Sequence, residues 1–519
     1  MNNKKPTLLI ILDGWGVAPP SKNNAITLAK TPIIDRLSKA YPSTTLGATG
    51  RDVGLDDNQM SGSEAGHMNI GAGRVVIQDS YHITESIKNG SFFSNPALKG
   101  AVKHANKNGS KLHVMGLMGN SDSPHSNPEH LRALLKLAKD SNVKEVYCHL
   151  FTDGRDSYPQ SALDHLKYFR QIMKEEKVGK IATMSGRFYA MDRSKNWDRL
   201  AKAYDAMVFS NSEKAGSAEE AINNAYSKNL TDEYILPTVI LDNGKPVAQI
   251  KKGDSVIFYN LRSDRARQFT KLFAATNGER IISDNMPVID KIDDLYFAAM
   301  TDFGPDLSIN TAFSGQTILS TLPMILKNVK QLYIAEMEKY AHLTYFFNGG
   351  YPDPVGGEDR MTIPSPKIDN YAKIPKMSAG AITDNVLKYI KEDKYDFIAI
   401  NFANADMVGH SGDFKAVIKA VEFIDKQVGR LTEVVLEREG NLIITADHGN
   451  ADRMIDVIDG KEMIFSFHSK NPVPFCVVSD RFKGNKLSSG ILGNIAPTVL
   501  DIMGIEKPKE MRCKSLLNG

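Results

Sequence analysis

Short, unbroken apolar runs recur along the chain, each closed by a polar residue or a glycine: Leu8–Leu12, Val256–Tyr259, Phe397–Phe402, Leu442–Thr445 and Phe475–Val478. Between them lie amphipathic stretches of helix length, such as Pro128–Lys139, Ser161–Glu176 and Lys415–Glu437. A strand with one wet face alternates apolar and polar positions, whereas a strand that is apolar throughout is covered on both faces. Continuous strands interleaved with helices therefore predict an α/β protein, with helices on either side of a parallel sheet. At 519 residues the chain is too long for one core, and length alone suggests roughly two to four domains. Leu8–Leu12 follows Lys4 and Lys5 in the manner of a signal peptide, but it is short and ends on acidic Asp13. A buried first strand is the better prediction. No run approaches the ~18 apolar residues needed to span a bilayer.

Composition narrows the function classes. A hydrophobic fraction of 42% and a charged fraction of 24% are those of an ordinary globular protein. Lys and Arg number 64 against 61 Asp and Glu, a formal charge of +3. That balance gives no global case for nucleic acid or an anionic membrane as partner, so any anion recognition must come from a local cluster. Cys148, Cys476 and Cys513 are isolated, with no CxxC pair. This excludes a disulfide framework and fits a reducing cytosol.

Candidate chemistry gathers where apolar runs end. Asp13 follows LLIIL, Asp406 follows FIAINFANA, and Asp447 follows LIITA. Ligands of open parallel sheets bind beyond the carboxyl ends of the strands. Taken singly, each Asp reads as a cap for the next helix or turn. Histidines change the balance: Asp406 and His410 are spaced to share one side of a helical turn, His448 adjoins Asp447, and His468 follows soon after. Mixed carboxylates and imidazoles suit Mn, Zn, Co or Fe rather than Ca or Mg. These five residues plus Asp13 are too many for one tetrahedral ion, while two ions are what in-line phosphoryl displacement uses. A nucleophile is offered by the segment from Asn58 to His67, which contains Ser61 and Ser63. Spacing does not choose between them, and Ser61-x-x-Glu64 also reads as a capping box that merely starts a helix.

At this point whole segments resemble one family. DGWG at 13–16, SGSEAGHMNIGAGR at 61–74, FTDGRD at 151–156, SGRFYAMDR at 185–193, LRSDRARQ at 261–268, EKYAHLTYFFNGG at 338–350, NFANADMVGHSG at 401–412 and TADHGNAD at 445–452 are similar to the cofactor-independent phosphoglycerate mutases. They run in order along nearly the whole chain, and no P-loop or GxGxxG motif competes with them. The resemblance implies an α/β fold of two domains. Residues 1–80 and 312–519 would form an alkaline-phosphatase-like parallel-sheet domain that binds metal, and 81–311 an inserted α/β transferase domain that binds substrate. It implies an isomerase, an intramolecular phosphotransferase that interconverts 3-phosphoglycerate and 2-phosphoglycerate in glycolysis and gluconeogenesis through a phosphoserine intermediate.

Carried over by motif position, Ser63 is the nucleophile. One divalent ion would take Asp406, His410 and His468, and the other Asp13, Ser63, Asp447 and His448, with manganese first and cobalt or zinc as alternatives. No bisphosphoglycerate cofactor is implied. The inserted domain would hold the small-molecule substrate through His125, Arg155, Asp156, Arg187, Arg193, Arg262 and Arg265, Asp156 serving also as acid or base. Lys339, from the other domain, would reach the phosphoryl group. A cytoplasmic monomer with no nucleic-acid or membrane partner completes the implication. Arginine forks bind phosphate and carboxylate oxygens in pairs, as a phosphorylated hydroxy acid requires. Three of them adjoin an Asp and would singly read as ion pairs: Arg155 with Asp156, Arg193 with Asp192, Arg265 with Asp264. The chain departs from the family in three places: Gly62 stands where asparagine is usual, Met337 where threonine is usual, and Asn127 where the loop usually carries a second histidine.

Overall fold

The Thr7–Leu12 strand lies in the middle of an eight-stranded sheet, with no side chain of its apolar run reaching solvent. The computed structural model describes residues 5–57, 59–274, 291–304, 306–315, 317–458 and 460–517. They fall into two compact units, Met1–Gln78 with Thr317–Gly519, and Asp79–Gln316. Each unit has its own sheet and apolar core.

In the first unit the strand order is Asp359–Ile363, Gln331–Glu336, Phe397–Phe402, Thr7–Leu12, Asn441–Thr445, Val473–Val478, Ser43–Gly47 and Gly490–Ile491. The first five are parallel to one another. Val473–Val478 runs antiparallel to both its neighbours, which corrects the expectation that its continuous apolar pattern marks a parallel strand. That pattern reports cover on both faces and not direction. The long helix Phe414–Glu437 supplies part of this cover. Its buried residues Val417, Val421, Ile424, Val428, Leu431 and Val435 follow the helical period, and the Asp413 side chain caps it by accepting from the Ala416 N–H at 3.0 Å.

The second unit holds the order Asn310–Phe313, Tyr296–Thr301, Ser255–Phe258, Leu112–Leu117, Val146–Thr152, Lys180–Gly186, Thr238–Asp242 and Glu213–Ala215. All pairings along it are parallel except that of Lys180–Gly186 with Thr238–Asp242. Strand alternation divides its core between the two faces: Leu112 and Val114 join one apolar cluster, Met115 and Leu117 the other.

Register fixes where the acids of the first unit emerge. Leu12 is opposite Phe402, and Ile11 is opposite both Asn401 and Thr445, so three parallel strands end on one line. The loops beyond are sewn together by main-chain bonds, Asp13 N–H to Phe402 O at 3.1 Å, Asp406 N–H to Asp13 O at 3.1 Å and Asn450 N–H to Gly14 O at 2.9 Å. Gly14 has φ +76°, and a Cβ there would lie 2.7 Å from the Asp406 main chain. Gly14→Ala should therefore lower stability by at least ~1 kcal/mol, through left-handed strain and loss of this approach. An unchanged urea midpoint would show that the approach is not a constraint.

Candidate metal centre and anion cluster

Asp13, Asp406 and Asp447 are all buried at this edge. Bringing three carboxylates together out of water is costly unless positive charge joins them. Lys339, on the short helix Met337–Ala341, extends its ammonium among them, donating to Asp13 Oδ1 at 2.7 Å, Asp406 Oδ2 at 2.6 Å and Ser63 Oγ at 2.7 Å. Burial would lower the Lys339 pKa, but Asp13, Asp406 and Asp447 outweigh it and raise it. Asp13 is pushed up by burial and by Asp447, with Lys339 opposing. Burial acts on Asp406 in the same sense, yet Lys339 and His410 hold its carboxyl well below the usual range.

The three histidines present the same atom inward. His410 Nδ1–H donates to Ser466 O at 2.8 Å, His468 Nδ1–H to Ser61 O at 2.7 Å, and His448 Nδ1–H to Gly449 O at 3.3 Å. A carbonyl only accepts, so each Nε2 of a neutral ring carries its lone pair into the site. The Nε2 atoms of His410 and His468 face each other at 3.3 Å, each 3.3 Å from Asp406 Oδ1. His468 is lowered to about 4, first by burial and then by His448, so its ring is neutral near pH 7. Against the effect of burial, Asp406 raises the His410 pKa, so without a cation that ring binds a proton toward Asp406 more readily, and a metal ion there would displace it. The ligand atoms of Asp406, His448 and His468 lie within 4.8 Å of one another, as do those of Asp13, Asp447 and His448. Asp447 Oδ2 is buried, with His67 Nδ1 at 3.2 Å and His448 Nε2 at 3.4 Å. This donor set fits transition-metal cations, the soft imidazoles disfavouring Ca or Mg.

Ser63 opens the helix Ser63–Ala72 and points its Oγ to 3.0 Å from His448 Nε2 and 3.3 Å from Asp13 Oδ1. A helix N-terminus favours negative charge at that position. Ser61 does not form the capping box its spacing suggests. The N-cap is Gly62 in extended backbone, with no side-chain cap, and Ser61 Oγ has no partner among the described residues. The helix begins one residue too late for Ser61, whose carbonyl holds His468 instead. Gly66 lets this helix close on the Asp447 loop, since a Cβ there would lie 2.7 Å from Asp447 O.

In the second unit Arg187 is buried and anchored, donating to Asp153 Oδ1 at 2.6 Å, Asp156 Oδ2 at 2.5 Å and His125 Nε2 at 3.0 Å. His125 Nε2 also lies 3.3 Å from Asp156 Oδ2; the closer guanidinium can only donate, so Nε2 accepts, and the buried Nδ1 has no partner among the described residues. Burial, then Arg187, lowers His125 to about 4. Arg193 pairs with Asp264 at 3.0 Å, and Arg265 donates to Met191 O at 3.3 Å. Burial, with Arg187, Arg193 and Arg155 close by, lowers Arg265 to about 9, a sign of excess positive charge. Arg155 has Glu233 at 3.7 Å, and the charge of Arg262 acts on both His125 and Asp264. The adjacent-residue pairs do not form as the sequence suggests: Asp156 binds Arg187, Asp264 binds Arg193, and Asp192 binds Arg199 at 3.4 Å. Asn127 caps the helix Pro128–Asp140, its side chain accepting from Glu129 N–H at 2.9 Å.

Several residues that hold these groups escaped the sequence reading. Asn401 Nδ2 donates to Asp13 Oδ2 at 2.8 Å, and Asn450 Nδ2 to Asp406 Oδ1 at 3.0 Å. Asp153 orients Arg187 and accepts from the N–H groups of Arg155 and Asp156. Asp452 takes the Ser469 hydroxyl at 2.6 Å, steadying the turn after His468. One signal was available: Asn401 is a lone polar residue in the otherwise apolar run FIAINF.

A sheet whose parallel strand ends carry acids and imidazoles around a serine defines a metalloenzyme, and the model of the metalloenzyme superfamily matches residues 5–507. The 2,3-bisphosphoglycerate-independent phosphoglycerate mutase of Clostridioides difficile (strain 630) is 49% identical over 519 residues, covering 99% of each chain. That of Clostridium acetobutylicum is 48% identical over 516 residues, again 99% of each. A Leishmania mexicana phosphoglycerate mutase, crystallised at low cobalt concentration, superposes with a TM-score of 0.86 at 27% identity, over 99% of this chain and 97% of its own. The chain belongs to the family of 2,3-bisphosphoglycerate-independent phosphoglycerate mutases. No helix among the described residues is long and apolar enough to cross a membrane.

The depressed His125 pKa makes a sign-definite prediction. An unfolded histidine titrates near 6.5 and this one near 4, so between those values the unfolded chain binds more protons and acid destabilises the fold. The stability is fully present above pH 6.5 and is lost as pH falls toward 4. Wild type should lose about 2 kcal/mol more than His125→Gln between pH 7.5 and pH 5, read by urea unfolding at both pH values. Equal losses would mean that His125 is not held neutral.

Proposed function

We propose that this chain interconverts 3-phosphoglycerate and 2-phosphoglycerate through a phosphoserine on Ser63, using two divalent cations, manganese foremost, and no bisphosphoglycerate. The observation that carries this reading is the meeting of Ser63 Oγ with Lys339 Nζ, Asp13 Oδ1 and His448 Nε2 among buried acids and inward-facing imidazoles. Asp406, His410 and His468 would hold one cation, and Asp13, Ser63, Asp447 and His448 the other. Bound there, such cations ease ionisation of a serine hydroxyl and neutralise phosphoryl oxygens.

The chain's own residues account for the rest. Ser63 gives up its hydroxyl proton as Oγ attacks phosphorus, the bond from phosphorus to the substrate oxygen breaks, and that oxygen takes up a proton in exchange, leaving glycerate. Lys339 stabilises charge on the transferring group. The Arg155, Arg187, Arg193, Arg262 and Arg265 set retains the glycerate carboxylate, with His125 Nδ1–H as a neutral donor. Arg187 holds Asp156 as a carboxylate despite its burial, and Asp156 is therefore a proton acceptor. The other glycerate hydroxyl yields its proton to Asp156 and attacks phosphoserine, reforming the serine hydroxyl and the isomeric ester. A simple hydrolase would have no use for five arginines that keep an alcohol product bound. The family's membership and the relatives' names support the same assignment.

The protein incubated with 3-phosphoglycerate and Mn²⁺ alone should yield 2-phosphoglycerate with little free phosphate, and EDTA should stop it. Phosphate without 2-phosphoglycerate would make it a hydrolase. Ser63→Ala should fall below about one-thousandth of wild-type turnover while still binding Mn²⁺. Phosphorylated Ser63 should appear in acid-quenched wild type by mass spectrometry, and a phosphate found on Ser61 would overturn the choice of nucleophile.

A further inference from the structure

His67 lies one helical turn beyond Ser63 and is wholly buried, as is Asn401. His67 Nδ1 is 2.8 Å from Ser63 O and 3.2 Å from Asp447 Oδ2, both acceptors, and Asn401 Nδ2 is 3.0 Å from His67 Nε2 and 2.8 Å from Asp13 Oδ2. The directions of these bonds are not free. A carbonyl only accepts, so His67 Nδ1 carries hydrogen. An ionised carboxylate only accepts, so the amide nitrogen of Asn401 faces Asp13, and its second hydrogen goes to His67 Nε2. The bridge is one-way, from Asn401 to Asp13 on one side, and from Asn401 through His67 to the main-chain carbonyl of Ser63 on the other. Asn401 is paired across the sheet with Ile11, two residues before Asp13. Ser63 is thereby tied through its own backbone to the strand pair that delivers Asp13, with Ser63 Oγ 3.3 Å from Asp13 Oδ1.

We propose that His67 and Asn401 are positioning residues: their hydrogen-bonded bridge from the Asp13 carboxylate to the Ser63 carbonyl sets the serine hydroxyl against Asp13. Neither side chain touches the reacting atoms. The bridge fixes the rotation of the first helical turn and turns Asp13 Oδ1, rather than Oδ2, toward Ser63 and Lys339. This rests on the reading of Asp13 and Ser63 as sharing a cation. Groups that orient ligands in this way typically carry tenfold to a hundredfold of metal affinity or activity.

The test uses the full-length protein with Mn²⁺ alone as the probe, together with kinetics on 3-phosphoglycerate. His67→Leu and Asn401→Val should each weaken Mn²⁺ binding and lower kcat by about tenfold to a hundredfold, with KM little changed. The double variant should be no worse than the worse single one, because one bridge is broken twice. His67→Asn, which keeps a donor at the Nδ1 position, should recover most of the loss. Additive losses, or a His67→Asn as impaired as His67→Leu, would overturn the bridge. Should the leucine variant not fold, nitrogen-15 spectra of the wild type decide the matter: His67 must be the neutral Nδ1–H tautomer, and an Nε2–H ring refutes the proposal. Asp13→Asn separates the two layers of inference. If it binds Mn²⁺ as wild type does, the metal reading itself fails, whereas loss in Asp13→Asn with unchanged His67 and Asn401 variants sinks only the bridge.

Discussion

Three carboxylates crowded at a buried sheet edge repel one another, and the organisation of the first unit follows from keeping them there. In a low-dielectric setting such repulsion amounts to several kcal/mol. The sheet supplies the rigidity: Thr7–Leu12 is pinned on both sides, so Asp13 cannot retreat from Asp406 or Asp447. Lys339 supplies one compensating charge, close to both Asp13 and Asp406. One ammonium among three carboxylates leaves the edge negative. The imidazoles turn their Nδ1 hydrogens outward to backbone carbonyls, which leaves each Nε2 aimed at that negative field. A metalloenzyme family is where such a demand for cations belongs.

The second unit has the opposite electrostatic character. Its arginines outnumber the acids that reach them, and the depression of Arg265 records the surplus. Asp153 and Asp156 do not cancel this field; they spend themselves on Arg187, which makes a rigid floor of what would otherwise be a mobile side chain. One unit that attracts cations and another that attracts anions are the two requirements of chemistry on a phosphorylated acid.

Much of this was legible in the sequence because the informative residues sit at changes of pattern. An apolar run that stops on an acid announces a buried strand, but Asp13 and Asp447 each read singly as a cap until the histidines joined them. Asp406 needed its partner His410 four residues on. Ser61 misled, because the spacing of a capping box is the same whether the helix starts at the serine or after Gly62. The ion pairs misled for a related reason: neighbours in sequence point in different directions, so the adjacent Asp is seldom the partner in space. Strand direction was invisible for Val473–Val478, since full burial produces one pattern in either orientation. Asn401 and Asn450 were silent in function because their roles arise from neighbouring strands and loops, and no local spacing encodes them.

The central position of Thr7–Leu12 has a consequence for how the protein comes into being. On the ribosome this strand is made long before its two flanking partners, which lie near positions 400 and 441. The intervening unit, continuous from Asp79 to Gln316, can fold as soon as it emerges. The Thr7–Leu12 strand must meanwhile persist as an unpaired apolar segment with both edges open, the kind of species that chaperones hold. The same topology that gathers its acids from distant segments makes folding of the first unit wait until the residues near 400 and 441 have been made.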